Sequence, residues 1–275
     1  MDITFHKVHP ALSEFVEAIL CVNRASDDAT EYIQTSLPNH ECYLSFEYET
    51  DFLVRSVKTN GFVQAHTTTI IPPQLDKTEL KGSTMKAIMV KFRSGSFFRL
   101  FKIPMPLFKN DCYNARDVLH KDFADLFEWI LNAETLSDKI RLVESFLLAR
   151  VAAATPYLPI DYAFEKLLRS NGNIPINDIA SIACMSIRQL QRKFLDHFGM
   201  SPKHYSKLVR FTTAYRMRTS FPELTWGEIS MRCGYYDQMH LIKDFRTFAA
   251  FNPGDLNMNS NTSNLLLFPE GSHLA

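Results

Sequence analysis

Between Ser186 and Phe198 the sequence crowds Arg188, Gln189, Gln191, Arg192 and Lys193 into six consecutive positions. Guanidinium and carboxamide groups are planar and carry several hydrogen-bond donors in fixed geometry. They suit planar acceptors such as phosphates and base edges, and they equally suit a solvated helix face. The other residues with reactive chemistry are scattered. Five cysteines (Cys21, Cys42, Cys112, Cys184, Cys233) form no C-x-x-C pair, so neither a disulfide framework nor a zinc ribbon is indicated, and a reducing compartment fits. His40-Glu41-Cys42, with His66, offers metal-ligand types. Neighbouring residues on a strand point to opposite faces, however, and no metal is expected. No G-x-S-x-G, H-E-x-x-H or G-x-x-x-x-G-K-[ST] run occurs. The expectation is therefore a non-enzyme, with no catalytic residue and no cofactor.

The elements that must position the Arg/Gln cluster read as two similar helical units. In the first, Ile179-Ala180 and Ile182-Ala183 mark a short apolar helix, with Asn177 or Asp178 as N-cap and a break at Cys184-Met185. Ser186 with Gln189 three residues on makes a capping box for a second helix. Ile187, Leu190, Phe194, Leu195 and Phe198 are assigned to its inner face, and Gly199 ends it. The second unit repeats this order. Thr225 and Glu228 form a capping box, Ile229 and Met231 are apolar, and Cys233-Gly234 turns the chain. Asp237 then caps a helix with Leu241, Phe245 and Phe248 inward and Gln238, Met239, Lys243 and Arg246 outward. Between the units, Ser201-Pro202 opens a long helix that Phe221-Pro222 closes. A short helix, a tight turn and an amphipathic helix with a polar face make a helix-turn-helix, here present twice in one chain.

The chain has 275 residues, 46% hydrophobic and 22% charged, with zero formal net charge, so about two ordinary globular domains are expected. The neutral total hides an asymmetry. Residues 161–255 carry 13 Lys/Arg against 9 Asp/Glu, and the rest carry 17 against 21. The N-terminus MDITFHKVHP lacks the basic and apolar regions of a signal peptide, and no run is long and apolar enough for a membrane span. A cytoplasmic protein without membrane contact is the expectation. Thr155-Pro156-Tyr157-Leu158-Pro159 reads as the divide. The expected domains are residues 1–154, a linker at 155–159, a helical domain at 160–257 and a flexible Asn/Ser/Thr-rich tail at 258–275. Before residue 105, alternation at Tyr43–Tyr48, Thr67–Ile71 and Met85–Phe92 predicts strands of a small barrel or sandwich. Helices are predicted over Pro10–Cys21, Ser96–Phe101, Leu119–Asn132 and Ser137–Ala154.

Residues 176–256 resemble the DNA-binding domain of AraC/XylS-type transcription regulators. The likeness rests on I-A-x-x-A-x-x-S-x-R-x-L-x-R-x-F at Ile179–Phe194 and G-x-S-P-x-x-Y at Gly199–Tyr205. It continues through E-I-x-x-x-x-G-Y, D-Q-x-H-L-x-x-D-F and the closing Asn252-Pro253. The sequence departs from the pattern at Cys184 and Ala250, where Gly is usual, at Ser230 for Ala, and at Lys243 for Arg. The resemblance implies that Arg188, Gln191 and Arg192, with Gln238, Met239 and Lys243, face base edges. It implies phosphate contacts for Ser186, Gln189, Lys193, Lys203, Lys207, His240 and Arg246. Double-stranded DNA is the implied partner. RNA polymerase, a small effector and a second copy of the chain are further candidates.

More loosely, residues 8–151 resemble a cupin-like N-terminal domain of some such regulators, through His9–Val16 and Val90–Phe101. That implies an α+β sensory or dimerisation domain ahead of an all-α one. The predicted helices Leu119–Asn132 and Ser137–Ala154 serve equally as a dimer seam or as packing on their own sheet. Three rivals remain. An enzyme with an accessory DNA-binding module lacks an active-site motif around any cysteine. A redox sensor would use Cys184 and Cys233 at the two turns. A degenerate regulator fold would act through protein contacts.

Overall fold

The β-branched and aromatic runs of the first half pair into two antiparallel sheets. The computed structural model describes residues 2–24, 32–56, 59–108, 111–119 and 121–255, and the expected flexible tail lies outside them. The strands are β1 (Asp2–His6), β2 (Val16–Arg24), β3 (Tyr32–Ser36), β4 (Cys42–Thr50), β5 (Leu53–Arg55), β6 (Val63–Gln64), β7 (Thr68–Ile71), β8 (Thr78–Gly82), β9 (Met85–Phe92) and β10 (Tyr113–Asn114). One sheet has the order β1-β2-β9-β4-β7-β10 and the other β3-β8-β5-β6. The space between them holds Leu20, Tyr43, Phe52, Met85 and Met89. The outer face of the larger sheet is covered by α1 (Ser96–Phe101), α3 (Lys121–Asn132) and α4 (Leu136–Val151), with the short α2 (Ala115–Val118) just before α3. Phe123, Phe127, Val143 and Leu147 bury there against Phe46 and Ile88, so α3 and α4 pack on their own sheet.

The helix predicted over Pro10–Cys21 is not formed. Pro10–Leu12 is a single 3₁₀ turn, capped where His9 Nδ1 accepts from the Ala11 N–H at 3.2 Å. Val16–Arg24 is instead the inner strand β2, paired with β1 on one side and β9 on the other. A strand buried on both faces reads as a continuous apolar run, which periodicity alone does not separate from a buried helix.

The second half is helical: α5 (Pro159–Arg169), α6 (Ile176–Ile182), α7 (Ile187–Phe198), α8 (Pro202–Ser220), α9 (Trp226–Arg232) and α10 (Gln238–Phe248). Pro159, the last residue of the expected linker, is already the first of α5, where its missing N–H costs nothing. Asp161 Oδ2 accepts from the Leu158 N–H at 2.8 Å and fixes that start. One apolar core runs through all six helices, built on Phe164, Phe194, Tyr205, Phe211 and Phe245, and Leu37 from the sheet region joins it. Among the described residues no helix is long and apolar enough to cross a membrane.

Candidate nucleic-acid interface

Each helix-turn-helix unit is shaped by its caps. At the end of α6 the Cys184 N–H donates to Ser181 O at 3.0 Å and the Met185 N–H to Ala180 O at 2.9 Å. At the end of α9 the Gly234 N–H donates to Met231 O at 3.1 Å and the Tyr235 N–H to Ser230 O at 2.9 Å. Both are Schellman endings, which place one residue in the left-handed region. Those residues are Cys184, at φ 53°, and Gly234, at φ 70°. The equivalent positions are therefore Cys184 and Gly234. Cys233 lies one position earlier, matches Ala183 and is buried, so the two cysteines sit in equivalent turns at different positions.

The second turn then holds one residue more than the first. Met185 alone separates Cys184 from the Ser186 cap, whereas Tyr235 and Tyr236 separate Gly234 from the Asp237 cap. Tyr235 tucks into the core, and Tyr236 is 93% exposed beside the start of α10.

The starts of α7 and α9 are closed by reciprocal capping boxes. Gln189 Oε1 accepts from the Ser186 N–H at 2.9 Å while the Gln189 N–H donates to Ser186 Oγ at 3.3 Å. Thr225 and Glu228 do the same at 2.8 and 3.2 Å. At α10 the His240 N–H donates to Asp237 Oδ1 at 2.7 Å. The α6 cap differs from expectation. Pro175 precedes the helix without a side-chain cap, and Asn177 and Asp178 fall inside its first turn.

The side chains divide by face. Leu190, Phe194 and Phe198 of α7 and Leu241, Phe245 and Phe248 of α10 are buried. Ile187 and Leu195, assigned inward from the sequence, are 38% and 45% exposed, and the buried stripe of α7 runs through Leu190, Phe194, His197 and Phe198. Outward on α7 stand Ser186, Arg188, Gln189, Gln191 and Arg192, with Lys193 partly buried. Ser186, Arg188, Gln189 and Arg192 line one shallow depression. Asp237, Met239, His240, Lys243 and Arg246 line another on α10, beside exposed Gln238.

The residues expected at phosphates are less uniform. Lys203 is exposed. Lys207 Nζ lies 3.9 Å from the buried Asp244 carboxylate and helps tie α8 to α10. Arg246 Nε donates to Asn252 Oδ1 at 2.7 Å, and the His240 ring meets Tyr235 edge-on. The sequence reading missed Tyr236. Its signal was available as the extra residue between the Gly234 turn and the Asp237 cap.

A family model described as a helix-turn-helix domain matches residues 179–258. That span takes in both units and the helix between them. This is an AraC-type helix-turn-helix domain. The match covers 80 of the 275 residues and speaks for that segment.

Solved structures give weaker likenesses. Apo ToxT from Vibrio cholerae strain SCE256 aligns over 90% of this chain and 97% of that one, at 9% identity and a TM-score of 0.47. ToxT from Vibrio cholerae O395 aligns over 88% and 96%, at 14% identity and a TM-score of 0.45. The AraC-like transcriptional activator CuxR aligns over 81% and 87%, at 13% identity and a TM-score of 0.25. No match was found among curated proteins.

The AraC-type domain is docked against the sheets through polar contacts. Glu41 is 5% exposed and its carboxylate accepts from Arg216 of α8 and, at 2.8 Å, from Lys91 of β9. Lys91 also meets Glu17 at 2.9 Å, and Tyr43 Oη donates to Glu41. His40 Nδ1 and Thr212 Oγ1 are 2.9 Å apart, and Ser94 Oγ and Tyr205 Oη 3.0 Å apart. On α7, His197 stacks against Phe98 of α1, and its Nδ1 lies 2.8 Å from Lys193 O. A cavity of about 120 Å³ opens beside this cluster. The buried Arg99 donates to Thr155 O at 3.0 Å and also contacts Glu14, fastening the segment before α5.

The turn at Cys184 gives a direct stability test. A Cβ in the left-handed region costs about 1–2 kcal/mol, partly offset in glycine by greater freedom of the unfolded chain. Cys184→Gly is expected to raise stability by about 0.5–1 kcal/mol, read from the urea midpoint, with Cys184→Ala close to wild type. An unmoved midpoint for Cys184→Gly would remove the strain argument. Ala250, at φ 62°, stands in the same kind of backbone just after α10.

Proposed function

We propose that this regulator binds double-stranded DNA sequence-specifically, with α7 and α10 in successive major grooves of one DNA face. The observation that carries the reading is the pair of separately capped helices sharing one core, each burying its apolar side and exposing its polar side. The helix α8 packs against both, so a single chain presents what single helix-turn-helix proteins present as a dimer. Arg188, Gln191 and Arg192 face bases in the first groove. Gln238, Met239 and Lys243 do so in the second, joined by Tyr236. Ser186, Gln189, Lys193, Lys203, Lys207, His240 and Arg246 stand toward phosphates. The sheet region tunes this binding through a small ligand or through dimerisation, and the Glu41–Arg216 junction is the route by which either would reach the DNA-reading helices.

The test is selection of bound sequences from a random duplex library with the full chain. A two-part motif with centres about ten base pairs apart is the expected result. Absence of any enriched sequence at low salt overturns the reading and leaves a regulator fold used for protein contacts.

A further inference from the structure

The space between the two sheets contains a second cavity, of about 90 Å³, away from the helical domain. Its walls are Phe52, Ile71, Leu80, Met85 and Met89, apolar side chains from both sheets and the loop between β4 and β5. Into this apolar space β4 places a carboxylate. Tyr43, Ser45 and Glu47 alternate along the inner face of β4, and the register against β9 shifts between Glu47 and Glu49, where Tyr48 is the extra residue. That bulge lies beside Glu47, whose N–H donates to Thr67 O at 2.7 Å.

Glu47 is 9% exposed, and among the described residues its carboxylate accepts from Ser45 Oγ at 3.3 Å. The titratable groups around the cavity are Glu47 on β4, His66 before β7 and Cys112 before β10. Among the described residues, the lining from β3, β5, β7, β8 and β9 carries no Lys, Arg, Asp or Glu. A buried carboxylate without a facing cation is unfavourable when ionised, so it either holds a proton or is matched by a charge from outside. The junction cavity differs on this point, because Lys91 and Arg216 there are matched by Glu17 and Glu41.

We infer that the cavity between the sheets is a binding site for a small primary amine, its ammonium on Glu47 and its apolar body against Phe52, Met85 and Met89. Gln74, Ser36 and Thr69 also line the cavity and would take one further polar substituent. The amine's proton count is unchanged on binding, whereas Glu47 must be ionised. Burial pushes its carboxyl up to about 7. Near neutral pH, binding therefore releases a fraction of a proton, and affinity weakens as pH falls below that value. The inference deepens the proposed sensory role of the sheets, but its test needs no DNA, so its failure would leave the DNA-reading proposal standing.

The experiment is titration calorimetry of the full chain with primary amines from ethylamine to benzylamine and with the alcohols of the same skeletons. At least one amine is expected to bind tenfold or more tightly than its alcohol, with proton release visible as a buffer-dependent heat. Glu47→Gln keeps the shape and removes the charge. It is expected to fold with unreduced thermal stability and to lose the amine preference. Alcohols binding as well as amines, a preference surviving in Glu47→Gln, or no amine binding at millimolar concentration would each overturn the assignment.

Discussion

Glu41→Gln is expected to lower stability by about 3–5 kcal/mol and to undock the AraC-type domain from the sheets, the range seen when one partner of a buried pair is removed. The carboxylate is shared by two cations, Arg216 and Lys91, whose side chains are each 11% exposed. Glutamine keeps the volume and one acceptor but withdraws the charge both rely on, and it leaves Tyr43 Oη a weaker acceptor. Urea unfolding should show the loss, and limited proteolysis should cut at residues 155–158 faster than in the wild type. Adding Arg216→Met to Glu41→Gln should recover part of the loss, because a buried charge is then removed along with its partner. A Glu41→Gln protein as stable and as protease-resistant as the wild type would show that the clasp contributes nothing.

The same junction carries a pH signature in two separate windows. Burial pushes the Glu41 carboxyl up, but Arg216 and Lys91 outweigh it and hold the group well below the usual carboxylate range. Its contribution is therefore complete above about 4.3, the ordinary glutamate value, and is lost only in stronger acid. His197 behaves in the opposite sense to a paired histidine. Burial against Phe98 and Phe164 brings its imidazole down to about 4. The unfolded chain binds that proton near 6.5 and the folded chain does not, so stability falls by up to about 1.4 kcal/mol per pH unit between the two values. His40 in the same junction, brought down to about 3 by burial, adds to the loss as pH falls, so His197→Phe should remove only the His197 share.

What the sequence made legible was local. Ser186 with Gln189, Thr225 with Glu228 and Asp237 before α10 are caps whose chemistry acts within four residues, and each stands where it was expected. Gly199 ends α7 in the left-handed region, as its type implied. Decisions made by distant partners were not legible. Val16–Arg24 is a strand because β1 and β9 flank it, and no residue within the segment says so. His197 is buried because Phe98, from another part of the chain, supplies an aromatic surface for it. Glu41 looked like a poor metal ligand beside His40 and Cys42. Its role as an anchor depends on Arg216, which lies 175 positions away.

Arg192→Ala is expected to cost about 1–3 kcal/mol of specific DNA binding, roughly a five- to 150-fold weaker complex, and to relax the sequence choice at one position of the first half-site. Arg192 stands one turn beyond Arg188 on the exposed side of α7, and both share the depression with Ser186 and Gln189. Arginine's rigid planar fork fits guanine O6 and N7 together better than a flexible ammonium, so Arg192→Lys should recover charge but only part of the base preference. The two units do not contribute alike. Met239 is 66% exposed at the start of α10 and can offer only an apolar contact, such as a thymine methyl. Specificity should therefore be concentrated in the half-site under α7. Lys203→Ala provides the contrast, with a loss uniform across sequences and a salt slope lower by about one. Competition binding of the selected site against single-base variants separates the two patterns. An Arg192→Ala protein with unchanged affinity and unchanged base preference would move the reading surface off α7 altogether.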